Sequence, residues 1–113
     1  MNRTWVAEQN GRIVSFCDTR APDEHGEAEL QAIYLAEHRA GTGVGRALLA
    51  HAIDDLRQRG FTRAFLWVLE SNTRARRFYE KAGWHADGDT KLETRGEVEL
   101  REVRYATRLT ARP

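Results

Sequence analysis

A glycine-rich segment is the clearest chemical signal in this sequence. An apolar, strand-like stretch (residues 30–35) precedes it, and a helical pattern beginning at Ala47 follows it. The first amides of a helix have no intrahelical acceptor, and the helix dipole adds about half a positive charge there. Glycines also let an anion approach the backbone closely. The segment is therefore predicted to bind a phosphate group. Its residues are Gly41, Thr42, Gly43, Val44, Gly45 and Arg46.

Spacing excludes two common phosphate-binding motifs. A Walker loop requires a lysine directly after its last glycine, and no lysine follows Gly45. A dinucleotide fingerprint requires Gly-x-Gly-x-x-Gly, whereas Gly43 and Gly45 are followed by Leu48 at the third glycine position. The segment alone does not identify the phosphate, and a glycine-rich loop without a ligand is the remaining alternative.

Tyr79 is a second candidate, because it lies on the apolar face of a predicted helix. This helix is capped by Ser71 or Asn72 and ends at Gly83. Its apolar positions recur at offsets of three, four and seven residues. Periodicity alone favours a phenol that fills the core. The apolar positions are Ala75, Phe78, Tyr79 and Ala82.

The first half of the chain predicts a hairpin, a third strand and a helix. Asn-Gly at residues 10–11, between strand-like residues 4–9 and 12–16, is typical of a type I′ turn. Residues 18–27 are predicted as a surface loop and residues 28–35 as the third strand. The helix after the glycines should bury Leu49, Ile53 and Leu56 and end at Gly60.

The second half predicts further strands around the Tyr79 helix. Residues 64–69 are apolar without alternation, which predicts a central strand covered on both faces and parallel to the third strand. Residues 84–86 should start another strand that Asp87-Gly88-Asp89 breaks. Residues 98–109 should form a long final strand. The apolar phase of this strand switches, which predicts a β-bulge near Arg101 and Glu102.

Composition restricts the class of protein. A chain of 113 residues with a formal charge of +1 is predicted to be a single domain, residues 1–113. The balanced charge argues against nucleic acid or a membrane surface as the main partner. The one cysteine, Cys17, excludes an internal disulfide and favours a cytoplasmic location. The four histidines show no ligand spacing, so no metal site is expected.

Taken together, these segments resemble the GNAT superfamily of acetyl-CoA-dependent N-acetyltransferases. Residues 30–35 followed by 41–49 are similar to its central cofactor motif. Residues 72–84 are similar to its second motif, Asn-x-x-Ala-x-x-Phe-Tyr-x-x-x-Gly-Phe. The resemblance implies the acyl-CoA N-acyltransferase fold, an α/β (α+β) arrangement with a mixed, centrally splayed β-sheet and two flanking helices.

The resemblance also implies a role for each site residue. Backbone amides of residues 41–46 would hold the pyrophosphate of acetyl-CoA, and an amide near Leu35 would polarise the thioester carbonyl. Asn72 would contact the pantetheine arm, and Tyr79 would protonate the departing thiolate. Glu29 is the candidate base, with a solvent-facing charge as the alternative. The strand that would pair with the pantetheine arm contributes Ile33, Tyr34 and Leu35.

Three departures from the family pattern qualify these expectations. Ala40 replaces the usual Arg or Gln before the glycines. Trp67 lies where relatives that acetylate ribosomal-protein N-termini have a glutamate, which makes that substrate class less expected. The family's usual first strand and two following helices have no counterpart, so the fold is expected to be N-terminally truncated, or completed by a partner such as a homodimer subunit.

The leading hypothesis is an N-acetyltransferase that moves acetyl from acetyl-CoA to a small-molecule or peptide primary amine. The alternative is a non-catalytic acyl-CoA-binding or interaction module of the same fold. The presence of both Asn72 and Tyr79 favours the enzyme. No motif identifies the acceptor.

Overall fold

The computed structural model describes residues 2–21, 26–35 and 43–109, with the backbone alone for residues 32–35. Six strands form one mixed sheet in the order β1-β2-β3-β4-β6-β5, and two helices accompany it. The predicted fold class is confirmed in these features. The elements are β1 (Arg3–Gln9), β2 (Arg12–Arg20), β3 (Glu27–Leu35), α1 (Val44–Gln58), β4 (Arg63–Leu69), α2 (Thr73–Lys81), β5 (His85–Arg95) and β6 (Val98–Arg108).

The chain divides into two compact units, and the division falls within β4. The first unit contains β1, β2, β3 and α1, and the second unit, Phe65–Thr107, contains α2, β5 and most of β6. The single domain expected for residues 1–113 stays a prediction.

The predicted N-terminal hairpin is confirmed in the first unit. Asn10 and Gly11 have φ values of 54° and 75°, which is the positive region that a type I′ turn requires at both central residues. The loop predicted from Asp18 is wrong at its start, because β2 continues to Arg20. Thr19 is only 1% exposed, and the Asp18 carboxylate accepts a hydrogen bond from the Thr4 hydroxyl on β1 at 2.7 Å. Cross-strand contacts therefore override the local turn signals.

Helix α1 packs its apolar face on β1, β2 and β3. Leu49, Ala52 and Leu56 are at most 2% exposed, as the helical periodicity predicts, whereas Ile53 is only half-buried. The backbone leaves the helix at Gly60, whose φ is 92°. This left-handed conformation favours glycine and ends the helix where the sequence predicts.

Strand β4 lies between β3 and β6 in the sheet, so its predicted central position is confirmed. The prediction that both of its faces are covered holds fully for one face and only in part for the other. Leu66 and Val68 are buried, whereas Phe65 and Trp67 are half-buried and Leu69 is 37% exposed. An apolar run therefore marks a strand in the sheet interior but does not show what covers each face.

The two C-terminal strands differ from the prediction in two places. Asp87-Gly88-Asp89 does not break β5 but forms an irregularity within it, since the register with β6 shifts between Ala86 and Thr90. The bulge predicted at Arg101 and Glu102 is absent from this pairing, because the register is regular from Val98 to Val103. The strand needs no bulge, because it does not bury all of its apolar side chains, and Val98, on one side of the phase switch, is 57% exposed.

Candidate functional site

The described part of the glycine-rich segment caps helix α1. Gly43 is the N-cap, with φ 88° and ψ −3°, and its carbonyl accepts the Ala47 amide at 3.0 Å. No side chain caps this helix, and its first turn contains no acidic residue. Within the described residues, the start of α1 therefore offers backbone amides to an anion, with no carboxylate in the first turn. Gly41 and Thr42 lie outside the described residues, whereas Val44, Gly45 and Arg46 form the first turn.

The cofactor strand of the prediction is β3, in the first unit. Its backbone pairs with β2, with Ile33, Tyr34 and Leu35 opposite Cys17, Phe16 and Ser15. Glu29 is half-buried and lies opposite Arg20, while its neighbours Ala28 and Leu30 are buried. Glu29 is therefore on the less buried face of this strand.

Cys17 is a core residue of the first unit and not a nucleophile. Its side chain is fully buried. Burial, and secondarily the negative charge of Asp18, raises the pKa of Cys17 to about 12. Because the thiolate is the reactive form, this thiol is inert near neutral pH.

In the second unit, Asn72 is the N-cap of α2, which settles the choice between Ser71 and Asn72. Its Oδ1 accepts the Ala75 amide at 3.1 Å. This is the ordinary capping hydrogen bond, and it fixes the orientation of the Asn72 side chain at the start of the helix. α1 and α2 therefore differ in capping, because an asparagine side chain caps α2 and a bare glycine begins α1.

Tyr79 is part of the core of the second unit. It is 6% exposed, and its ring contacts Phe78 and Trp84 at centroid distances of 5.3 and 5.9 Å. Its carbonyl accepts the amides of Ala82 and Trp84, both at 3.0 Å, at the end of α2. These contacts fix the ring position. The role of the hydroxyl as a proton donor stays a prediction.

A buried tyrosine on β6 was not among the predicted site residues. Tyr105 is 0% exposed, and its hydroxyl donates to Glu80 Oε2 at 2.6 Å and accepts from Arg76 Nε at 3.0 Å. Burial, and then the hydrogen bond to Glu80, raises the pKa of Tyr105 above its usual value. Arg76 Nη1 also donates to the Glu70 carbonyl at 2.9 Å. The four-residue spacing of Arg76 and Glu80 on α2 was the available signal for this cluster.

The three arginines of α2 therefore differ in their surroundings. Arg76 turns toward Tyr105, while Arg74 and Arg77 are exposed. Within the described residues, His, Cys, Asp and Glu side chains form no group of three that could hold a metal ion. Neither helix of the described chain has the length and apolarity needed to cross a bilayer.

A known protein family matches most of this sequence, including the starts of both helices. A sequence profile of the Acetyltransferase (GNAT) family matches residues 2–84. The chain belongs to this family, and the resemblance drawn from residues 30–49 and 72–84 is confirmed at that level.

Curated relatives give the same class. The chain is 40% identical over 91 residues to the uncharacterized N-acetyltransferase YuaI of Bacillus subtilis, covering 80% of this chain and 51% of YuaI. It is 35% identical over 85 residues to a mycothiol acetyltransferase of Acidimicrobium ferrooxidans, covering 73% of this chain and 27% of that protein. The chain thus spans about half of the first relative and about a quarter of the second.

Solved structures share the fold. A ribosomal-protein alanine N-acetyltransferase from Escherichia coli superposes with a TM-score of 0.83 and 26% sequence identity. The superposition covers 99% of this chain and 72% of that one.

Proposed function

We propose that this protein transfers an acetyl group from acetyl-CoA to a primary amine. The amine nitrogen attacks the thioester carbonyl directly, the carbon–sulfur bond breaks, and the thiolate takes up a proton while the new amide loses one. The main support is the family match over residues 2–84, which includes both the Gly43-capped helix and the segment from Asn72 to Tyr79.

In this proposal the start of α1 binds the pyrophosphate of acetyl-CoA. The bare Gly43 cap and the lack of acidic residues in the first turn favour an anion there. The pantetheine arm pairs with the backbone of Ile33, Tyr34 and Leu35, and the amide near Leu35 stabilises the oxyanion. Asn72 uses its Oδ1 for Ala75, so we assign its Nδ2 group to the pantetheine arm.

Tyr79 is the proposed general acid for the departing thiolate. Reference pKa values of about 10 for a phenol and about 8.5 for a thiol make this proton transfer only slightly uphill. The packing of Tyr79 against Phe78 and Trp84 supports the role, since a donor must be held in position.

Glu29 is the proposed base that accepts the proton of the amine, directly or through water. An alkylammonium has a pKa of about 10.4, so a base is useful near neutral pH. Glu29 lies on the less buried face of β3, which keeps its carboxylate accessible.

The proposed partners are small-molecule or peptide amines, and we further propose a cytoplasmic homodimer. The relatives described above include a mycothiol acetyltransferase and a ribosomal-protein alanine N-acetyltransferase, and these two names indicate different substrates. Trp67 replaces the glutamate expected for the ribosomal class, so we favour other amines.

The test is release of CoA thiol with a panel of primary amines. Acetyl-CoA at 100 times its dissociation constant should stabilise the fold by about 2.7 kcal/mol, whether the protein is an enzyme or a binding module. Thiol release only with amines supports the enzyme. Stabilisation without release, over the whole panel, would favour the non-catalytic module.

Two variants test the residue roles. Tyr79→Phe should lower kcat by about 10²- to 10⁴-fold, and Tyr105→Phe is the matched control that should leave it unchanged. Glu29→Gln should remove the rising limb of the pH–rate profile. An unchanged limb, or equal rates for wild type and Tyr79→Phe, would contradict the respective assignment.

A further inference from the structure

The half-buried face of β4 carries two aromatic rings that contact cationic side chains. Lys91 Nζ lies 4.6 Å from the centroid of the Trp67 ring. The Arg104 guanidinium carbon lies 5.5 Å from the Phe65 ring and 5.9 Å from the Trp67 ring. These distances are within the range of cation–π attraction. All of these residues belong to the second unit.

The helix of this unit lies on the opposite side of the sheet. Arg104 contacts the rings of β4, whereas its neighbour Tyr105 contacts Arg76 and Glu80 of α2. Successive residues of a strand point to opposite faces. The Trp67 face is therefore not the one that α2 covers, which explains why Trp67 is half-buried and not fully buried.

The two cations on this face are held differently. Arg104 is fixed by two carboxylates, with its Nε 2.6 Å from Asp87 and its Nη2 2.8 Å from Asp89. Lys91 is exposed, and its ammonium group lies against the Trp67 ring. A lysine side chain at an exposed site gains only about 0.5–1 kcal/mol from such a contact, so it can exchange with another cation.

Charge around the ring favours a cation as the replacement. If Lys91 moves away, one positive charge on Arg104 faces two negative charges on Asp87 and Asp89. Glu102, the cross-strand partner of Lys91, adds a further carboxylate beside the vacated position. An incoming monocation would restore part of the balance, whereas an anion would meet excess negative charge.

We propose that the Trp67 ring face binds a non-reacting alkylammonium group of the acceptor, in competition with the Lys91 side chain. The identification of this cation as part of the acceptor rests on the proposed function, whereas binding of a cation to the ring requires no catalysis. It identifies the substrate class as amines that carry a second positive charge, as a diamine does, and it makes the Lys91 side chain a competitor for the same ring.

The test uses tetramethylammonium chloride, which cannot be acetylated. Indole N–H signals of the three tryptophans are followed by NMR, with Trp67 assigned from the Trp67→Phe spectrum. Tetramethylammonium should shift the Trp67 signal with saturation and leave Trp5 and Trp84 unchanged. Sodium chloride at equal ionic strength and tert-butanol, a neutral analogue, are the controls. Non-saturable shifts, or equal shifts with tert-butanol, would overturn the proposal.

Lysine variants test the competition. Lys91→Met keeps the apolar stem and should tighten tetramethylammonium binding by about 2- to 5-fold, since it removes a rival cation. Lys81→Met changes net charge equally on α2 and should leave affinity unchanged. Equal affinities for wild type and Lys91→Met would overturn the proposed competition.

An activity readout separates the two proposals. Trp67→Leu should raise KM for a diamine by about 2- to 30-fold while KM for acetyl-CoA stays constant. A saturable Trp67 shift without thiol release from any amine would refute the acetyltransferase proposal and leave the cation site intact. Thiol release with an unchanged KM in Trp67→Leu would refute the cation site alone.

Discussion

Replacing Tyr105 with phenylalanine should measure what the cluster on β6 and α2 contributes to stability. The hydroxyl donates to Glu80 at 2.6 Å and accepts from Arg76 at 3.0 Å. A hydrogen bond to a charged group contributes about 1.5–3 kcal/mol. Tyr105→Phe keeps the buried ring and leaves no cavity. Glu80 is exposed and can bind water instead. We therefore expect a loss of about 2 kcal/mol, the value of one such bond and not of two.

The assay is urea unfolding at pH 7, where this loss should lower the midpoint by about 1 M for an m-value near 2 kcal/mol/M. Glu80→Gln should reduce the effect of Tyr105→Phe in a double-mutant cycle, because the two groups share one hydrogen bond. Glu99→Gln, on the exposed part of β6, is the control for the change in charge. A loss below about 0.5 kcal/mol would refute the reasoning.

The pH dependence gives a second check on Tyr105. Burial, and then the Glu80 hydrogen bond, raises its pKa in the folded protein above the usual value of about 10. A group with a raised folded pKa contributes stability that is fully present below its unfolded pKa and is lost as pH rises toward the folded pKa. The difference in free energy of unfolding between wild type and Tyr105→Phe should therefore decrease above about pH 10. A difference that stays constant or grows there would contradict the assignment.

Two further variants test the helix cap and the buried thiol. Asn72→Ala should cost about 1 kcal/mol because the Ala75 amide loses its acceptor, and Asn72→Asp should retain most of the stability; equal midpoints for Asn72→Ala and wild type in urea would argue against the cap. The Cys17 thiol, whose pKa burial raises to about 12, should react with a disulfide reagent at pH 8 only as fast as the protein unfolds, so its labelling rate should increase with urea. Rapid labelling of the native protein would show that the thiol is accessible.

Several features of the fold follow from local chemistry and were predictable. The Asn10-Gly11 turn needs two residues that accept positive φ, and the sequence supplies them. The end of α1 at Gly60 rests on the same property. The amphipathic spacing predicted the burial of Leu49 and Leu56 on α1, because a 3.6-residue period brings these side chains to one side, whereas Ile53 is only half-buried.

Other features depended on strands that are distant in sequence. Asp18 and Thr19 have loop-like character alone, yet they continue β2 because β1 supplies partners for them. Asp87-Gly88-Asp89 remains within β5 because Arg104 of β6 binds both carboxylates. Local propensity cannot show such pairing, since the stabilising partner lies 17 residues away for Asp87.

For the candidate site, residue types and spacing were enough to identify the family, because the glycine-rich helix start and the segment from Asn72 to Tyr79 are local patterns. Only the tertiary structure decided which charged and aromatic side chains contact one another. It placed Tyr105 between Arg76 and Glu80, and it set Lys91 on the Trp67 ring. These contacts join β4, β5, β6 and α2, so their existence depends on strand order and register, and no spacing along the chain encodes either one directly.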